Sequence, residues 1–139
     1  MTIDEGIKRI AEEHFPGFSY IFDDWYDIDQ AVDRTPLPAI AHVLPIGGVM
    51  TIRQNGKLYD RESVTIAFLD KVTRDANGGD QRIVFERMKD VAIQFVRLMN
   101  ESGYFGSIGT WSYNVIYNQL SSIVTGVMLT LDVEGNGIC

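Results

Sequence analysis

The chain has 139 residues, 45% of them apolar and 22% charged, with a formal net charge of −7. That length fits one domain, residues 1–139, and is enough to bury a core without disulfides or a structural metal. The acidic balance speaks against a nucleic-acid phosphate backbone as the main partner, because such binding depends on lysine and arginine neutralising phosphates.

The opening MTIDEGIKRIAEEHF is charged and amphipathic and shows no apolar signal-like stretch. No apolar run approaches the roughly 20 residues that span a bilayer, so no membrane partner is expected. The one cysteine, Cys139, has no internal disulfide partner. Folding in a reducing cytoplasm is the expectation. Residues 4–15 predict a short helix. Ile3, Ile7, Ile10 and Ala11 recur at helical spacing, Asp4 and Glu5 sit at the positive end, and Pro16-Gly17 stops it. Phe18–Trp25 is rich in aromatics and reads as a strand, followed by an acidic loop over 26–38 that carries Pro36 and Pro38.

Ala39–Leu44 reads as an inner strand with Pro45 marking its exit. Val49–Arg53 and Lys57–Asp60 flank Asn55-Gly56, a common tight hairpin turn. Val49 and Thr51 fall on one face of the first arm, Met50 and Ile52 on the other. Neither face is cleanly apolar, so the hairpin is expected to stand out from the body, with Gly47-Gly48 as a swinging base. Glu62–Asp70 is the clearest strand, with Val64, Ile66 and Phe68 opposite Thr65, Ala67 and Leu69. Apolar residues on both faces predict a central strand covered on each side.

After a glycine-rich loop over 73–80, Asp80 is a candidate N-cap for a long helix to Ser102, ended by Gly103. Its predicted apolar stripe is Val84, Met88, Val91, Phe95 and Leu98, widened by Ala92 and Met99. Gly109–Asn118 and Ile123–Val133 alternate as two further strands. The predicted fold class is α+β: an antiparallel β-sheet with one long helix packed across it, a short N-terminal helix and a protruding β-hairpin.

Residues able to do chemistry are few. Asp23, Asp24, Asp27, Asp29 and Asp33 invite a hard-cation site, but their spacing does not match a calcium-binding EF-hand loop, and a solvated acidic loop is the simpler reading. His14 ends a helix and His42 lies in an apolar strand; neither has a cysteine or carboxylate at zinc-ligand spacing. There is no Gly-x-Ser-x-Gly elbow, and the glycine pairs lack the lysine of a phosphate loop. Tyr104, Phe105, Trp111, Tyr113 and Tyr117 could stack bases, yet few basic residues accompany them, so core packing or subunit contact explains them better. The expectation is a protein with no catalytic, cofactor-binding or metal-ligating residues and no cofactor, hence not an enzyme.

The layout from Pro38 onward resembles a known family. The residues concerned are the Pro38–Leu44 strand, the DRESVTIAFLDK strand from Asp60 to Lys71, the Met88–Phe95 helix segment, and the final Val124–Leu131 strand with its trailing Gly137-Ile138-Cys139. In element order this is similar to the tail-terminator (tail-completion, neck) proteins of long-tailed bacteriophages. The resemblance implies a structural virion protein, made in the host cytoplasm and located in the tail or neck. It would form a homo-oligomeric ring, usually a hexamer, at the head-proximal end of the tail. There it would end tube polymerisation and join the tail-tube protein to head-connector or neck proteins. DNA would pass through an acidic lumen without specific recognition. On this reading the hairpin is the arm that reaches a neighbour, with Met50, Ile52, Asn55, Gly56, Leu58 and Tyr59 as interface residues. Another head–tail joining protein shares much of the layout. A small-molecule-binding or enzymatic α+β domain, with the aromatics and Asp23–Asp29 lining a pocket, is the alternative from a different class, and an accessory subunit of a larger cellular complex is a third.

Overall fold

A computed structural model describes residues 2–24, 27–28, 36–71, 78–117 and 124–134. Helix α1 (Ile3–His14) begins at Thr2, whose side chain accepts a hydrogen bond from the Glu5 amide at 3.2 Å, and it buries Ile3, Ile7, Ile10 and Ala11. This N-cap satisfies one of the amides that the first turn leaves without a helical partner. Strands β1 (Ser19–Asp24), β2 (Ala39–Ile52) and β3 (Leu58–Lys71) follow, then helix α2 (Gly78–Ser102) and strands β4 (Ser112–Tyr117) and β5 (Val124–Glu134).

The five strands form one sheet in the order β1-β2-β3-β5-β4. The β2–β3, β3–β5 and β4–β5 pairs are antiparallel, as expected for most of the sheet, but β1 adds parallel to β2, Ser19 opposite Ala39 through Asp24 opposite Leu44. The sheet is therefore mixed and the fold class α+β. Pro45 does not end β2, which continues to Ile52. The β2–β3 register shifts between Val43 and Gly47, and β1 stops opposite Leu44. The proline thus falls where the ladders are already interrupted, so its missing N–H costs little there.

β3 lies at the centre, as its two apolar faces predict. Val64, Ile66 and Phe68 meet α1 and α2 together with Ile40, Val127, Leu129 and Leu131. Ala67 and Leu69 lie in a second buried cluster with Ala41, Val43, Ile116, Val124 and Ile28, the last from the connection between β1 and β2. Helix α2 is turned relative to the expected stripe. Phe85, Met88, Ala92, Phe95, Val96 and Met99 are buried, while Val84, Val91 and Leu98 are partly buried at its margin. The apolar arc of this helix is wide, and α1 packs beside α2 on the same layer. Two surfaces therefore share the arc, and its centre moves to the 88/92/95/99 ridge. Asp80 sits within the first turn of α2, not before it. Gly103, at φ +78°, ends the helix in the left-handed region that glycine adopts without strain.

Gly126 has a different purpose: a Cβ there would run into the backbone carbonyl of Phe68 on the neighbouring β3. The close approach of β5 to β3 excludes any side chain at this position. Replacing Phe95, which stacks on Phe15 and meets Phe68 edge-on, by alanine should cost about 3–5 kcal/mol in chemical denaturation. Phe95→Asp, burying an unpaired charge, should not fold. By contrast Ile83, 69% exposed, should tolerate alanine within about 0.5 kcal/mol. Wild-type stability in Phe95→Asp would mean that this face of α2 is not against the sheet.

Candidate functional site

Among the described residues, pairing of β2 with β1 ends at Leu44 and pairing of β3 with β5 ends at Arg61, which faces Glu134. From Met50 to Asp60, β2 and β3 therefore pair only with each other among the described residues: Met50 opposite Asp60, Thr51 opposite Tyr59, Ile52 opposite Leu58. The turn is held by the Arg53 amide on the Lys57 carbonyl, the Gly56 amide on the Arg53 carbonyl, and the Lys57 amide on Asn55 Oδ1 at 2.9 Å. Gly56 takes φ +80°. Asn55-Gly56 thus makes the predicted turn.

Strand alternation sorts the side chains of this distal hairpin. Met50, Ile52 and Leu58 share the face that continues the helix side of the sheet, and all three are exposed, Met50 and Ile52 at 73% and 74%. As expected, neither face is wholly apolar: Asp60 shares the Met50 face, and exposed Val49 lies on the other. Tyr59 is on the opposite face, where the Arg53 guanidinium carbon lies 4.4 Å and Lys57 Nζ 5.5 Å from its ring centroid. That opposite face borders a cleft of about 610 Å³, walled by Arg53, Tyr59 and Arg61 on one side and by Asp132 and Glu134 of β5 on the other. Gly47 and Gly48 are not a swinging base. They pair with Ser63 and Glu62, and a Cβ on Gly48 would collide with the Arg61 carbonyl. Sequence reasoning missed the pairing of Tyr59 with Arg53 and the cleft; the signal for the first was the period-two placement of Arg53, Tyr59 and Arg61 about the turn.

A second polar group lies under α1. His42 is fully buried, stacked on Phe22 at 4.6 Å and 16°, and neither ring nitrogen has a hydrogen-bond partner among the described residues. Asp4 Oδ1, the Tyr20 hydroxyl and Glu62 Oε2 are likewise buried without one. Burial pushes the His42 imidazole below its usual value, with Asp4 opposing. Burial pushes the Tyr20 hydroxyl up, reinforced by Asp4 and Glu12, and raises Glu62, reinforced by Asp4 and Asp60. Asp4 thus acts on all three. Without a nucleophile or metal-ligand geometry the group has no evident chemistry, and it holds α1 at an energetic cost.

The remaining candidates separate. Asp23, Asp24 and Asp27 bring their carboxylates within 4.8 Å of one another. The Asp27 amide donates to Asp24 Oδ1 at 2.8 Å and the Asp24 amide to Asp23 Oδ1 at 2.9 Å. Repulsion from Asp24 raises the exposed Asp27 carboxyl, with smaller effects from burial and Asp23. Asp29, Asp33 and Cys139 lie outside the described residues. His14, in the last turn of α1, borders a shallow hollow with Glu13, Glu101 and Tyr104, remote in sequence from His42. The aromatics do not form one platform. Tyr104 and Phe105 pack together, Gly6 lying close against Phe105, whereas Tyr113 stacks on Phe85 with Lys89 Nζ 4.8 Å from its ring; the Tyr117 side chain lies outside the described set.

No family model matches the chain, and none of the curated proteins compared with it matches either.

His42 yields a pH prediction. Its folded pKa lies below the unfolded value of 6.5, so the unfolded chain binds the proton first. Its contribution to stability is complete above 6.5 and is lost as pH falls below it. Glu62 has the opposite sign: its carboxyl is raised above 4.5, so the penalty of burying its anion fades as pH falls towards that value. Chemical denaturation from about pH 7.5 to about pH 5.5 should therefore show a loss of stability in the wild type that is smaller in His42→Leu. Identical pH slopes in the two proteins would mean that the imidazole is not held neutral by burial.

Proposed function

We propose that the chain is a structural adaptor of the tail-terminator kind. Its copies form a ring, a hexamer in the resembling family, at the head-proximal end of a phage tail, where the ring ends tube polymerisation and joins tail tube to head connector. The observation that carries this reading is the distal hairpin: a two-stranded ribbon whose Met50, Ile52 and Leu58 share one exposed face with no third strand beside them among the described residues. A lone two-stranded ribbon is marginal in water, and side chains of this kind gain most from burial against a partner. A heterologous contact of arm on body closes into a ring when the rotation between copies closes. The net charge of −7 suits a lumen that DNA traverses without adhering.

One observation favours the alternative. The cleft beside Arg53, Tyr59 and Arg61 has the volume of a small-molecule site. In the ring reading that cleft belongs to a subunit boundary.

Replacing residues 50–59 with a short glycine–serine linker separates the two. No buried residue falls in that range, so the protein should stay folded by circular dichroism with its melting temperature little changed. Its mass by light scattering should fall from that of an oligomer to that of one chain. Unfolding of this variant would place the hairpin in the core, and its normal assembly would show that the hairpin is not the contact; either result removes the basis of the assignment.

A further inference from the structure

The arm differs from the rest of the molecule in sign. Arg53, Lys57 and Arg61 against Asp60 alone give residues 49–61 a net positive charge, within a chain that totals −7. Neither Arg53 nor Lys57 takes part in an ion pair among the described residues; the pairs present are Lys8–Glu12, Arg82–Glu86 and Arg87–Asp70. Both are exposed, and both lie over the ring of Tyr59, which limits their wandering and presents them on one face.

Within one protomer Asp132 and Glu134 border the cleft that Arg53 and Arg61 also line, without an ion pair to either among the described residues. β1, with Asp23 and Asp24, ends opposite Leu44. Arg53, opposite Lys57, lies eight residues along β3 from Thr65, the partner of Val43, about 26 Å at roughly 3.3 Å per residue. On the other side Asp132 faces Ser63 and Glu134 faces Arg61, at the base of the arm and not at its end. Exposed cations that form no ion pair among the described residues of their own protomer remain free to meet the negative surface of another.

Resting on the ring reading above, we propose that the Arg53–Lys57–Tyr59 face of the distal hairpin docks on the acidic body of a second copy of this chain. The cations supply orientation and encounter rate, and Val49 and Tyr59, on the same face of the ribbon, supply apolar contact. Donor and acceptor surfaces are different, so the contact is heterologous, as a ring requires. It is also sensitive to salt, because the charges are exposed before docking.

The test measures self-association of the full chain by light scattering at about 0.05 and about 0.5 M salt. Wild type is compared with Arg53→Gln/Lys57→Gln and Arg53→Glu/Lys57→Glu. The substituted side chains are exposed, and circular dichroism and melting temperature verify the fold. The wild type should associate at least tenfold more weakly at the higher salt. The glutamine variant should associate more weakly than wild type and with a flatter salt dependence, and the glutamate variant should not associate at low salt. Association of the glutamate variant with wild-type strength and salt dependence would overturn the docking mode while leaving the ring intact. A wild type that remains a monomer at both salts would instead overturn the ring reading, and this inference with it. A fourth outcome also counts against it: unaltered self-association of the variants combined with loss of wild-type binding to a short single-stranded DNA would assign the cations to nucleic acid.

Discussion

From Arg61 to Leu69, β3 carries backbone ladders on both edges, with β2 on one side and β5 on the other. Over much of the same stretch its side chains are buried on both faces. This double constraint sets the positions of the other elements. The Val64–Ile66–Phe68 face determines where α1 and α2 lie, and the Ala67–Leu69 face draws Ile28 from the β1–β2 connection over the opposite side. A one-residue slip of β3 would exchange the two faces and misplace both layers. Gly126 adds to the constraint, since β5 comes so close to the Phe68 carbonyl that no side chain fits between them.

The same strand then leaves all of that support behind. At Glu62 it still has both neighbours, and at Asp60 only β2 remains among the described residues. Within a few residues the chain passes from its best-supported part to a ribbon with exposed Met50, Ile52 and Leu58. Stability is expected to be graded in the same way, with local opening far easier at the hairpin tip than at Phe68. Because the arm is a direct extension of the central strand, a load applied at its tip passes into the most rigid part of the sheet. That is the construction the proposed contact between subunits would use. The buried polar group of Asp4, Tyr20, His42 and Glu62 is the counterpart on the α1 side. Its polar atoms are buried without hydrogen-bond partners among the described residues, and burial pushes His42 down and Glu62 up.

Much of this was legible in the sequence where the information is local. The two-residue period of β3 shows both its faces, Asn55-Gly56 shows the turn, and Gly103 shows the helix end. What the sequence concealed depends on distant partners. Nothing in Ser19–Asp24 distinguishes parallel from antiparallel addition to β2, because both place alternate residues on alternate faces. The orientation of α2 depended on α1 sharing its layer, which the helix's own periodicity cannot convey. Pro45 reads as a stop only if its neighbours are taken to be regularly paired, and they are not. His42 was legible as a core residue from its apolar neighbours. Its lack of hydrogen-bond partners among the described residues was not, since that depends on what Asp4, Tyr20 and Glu62 do around it. The cleft likewise needs Asp132 and Glu134 brought against Arg61 by a pairing some seventy residues apart in the chain.

The central claim is that the distal hairpin is an assembly surface carried by a rigid strand, and amide hydrogen exchange followed against protein concentration tests it most directly. The amides of residues 63–70 should be protected at every concentration, whereas those of residues 50–60 should exchange rapidly in dilute protein and become protected as copies associate. Hairpin amides protected equally in dilute and concentrated protein, or unprotected in both, would contradict the account.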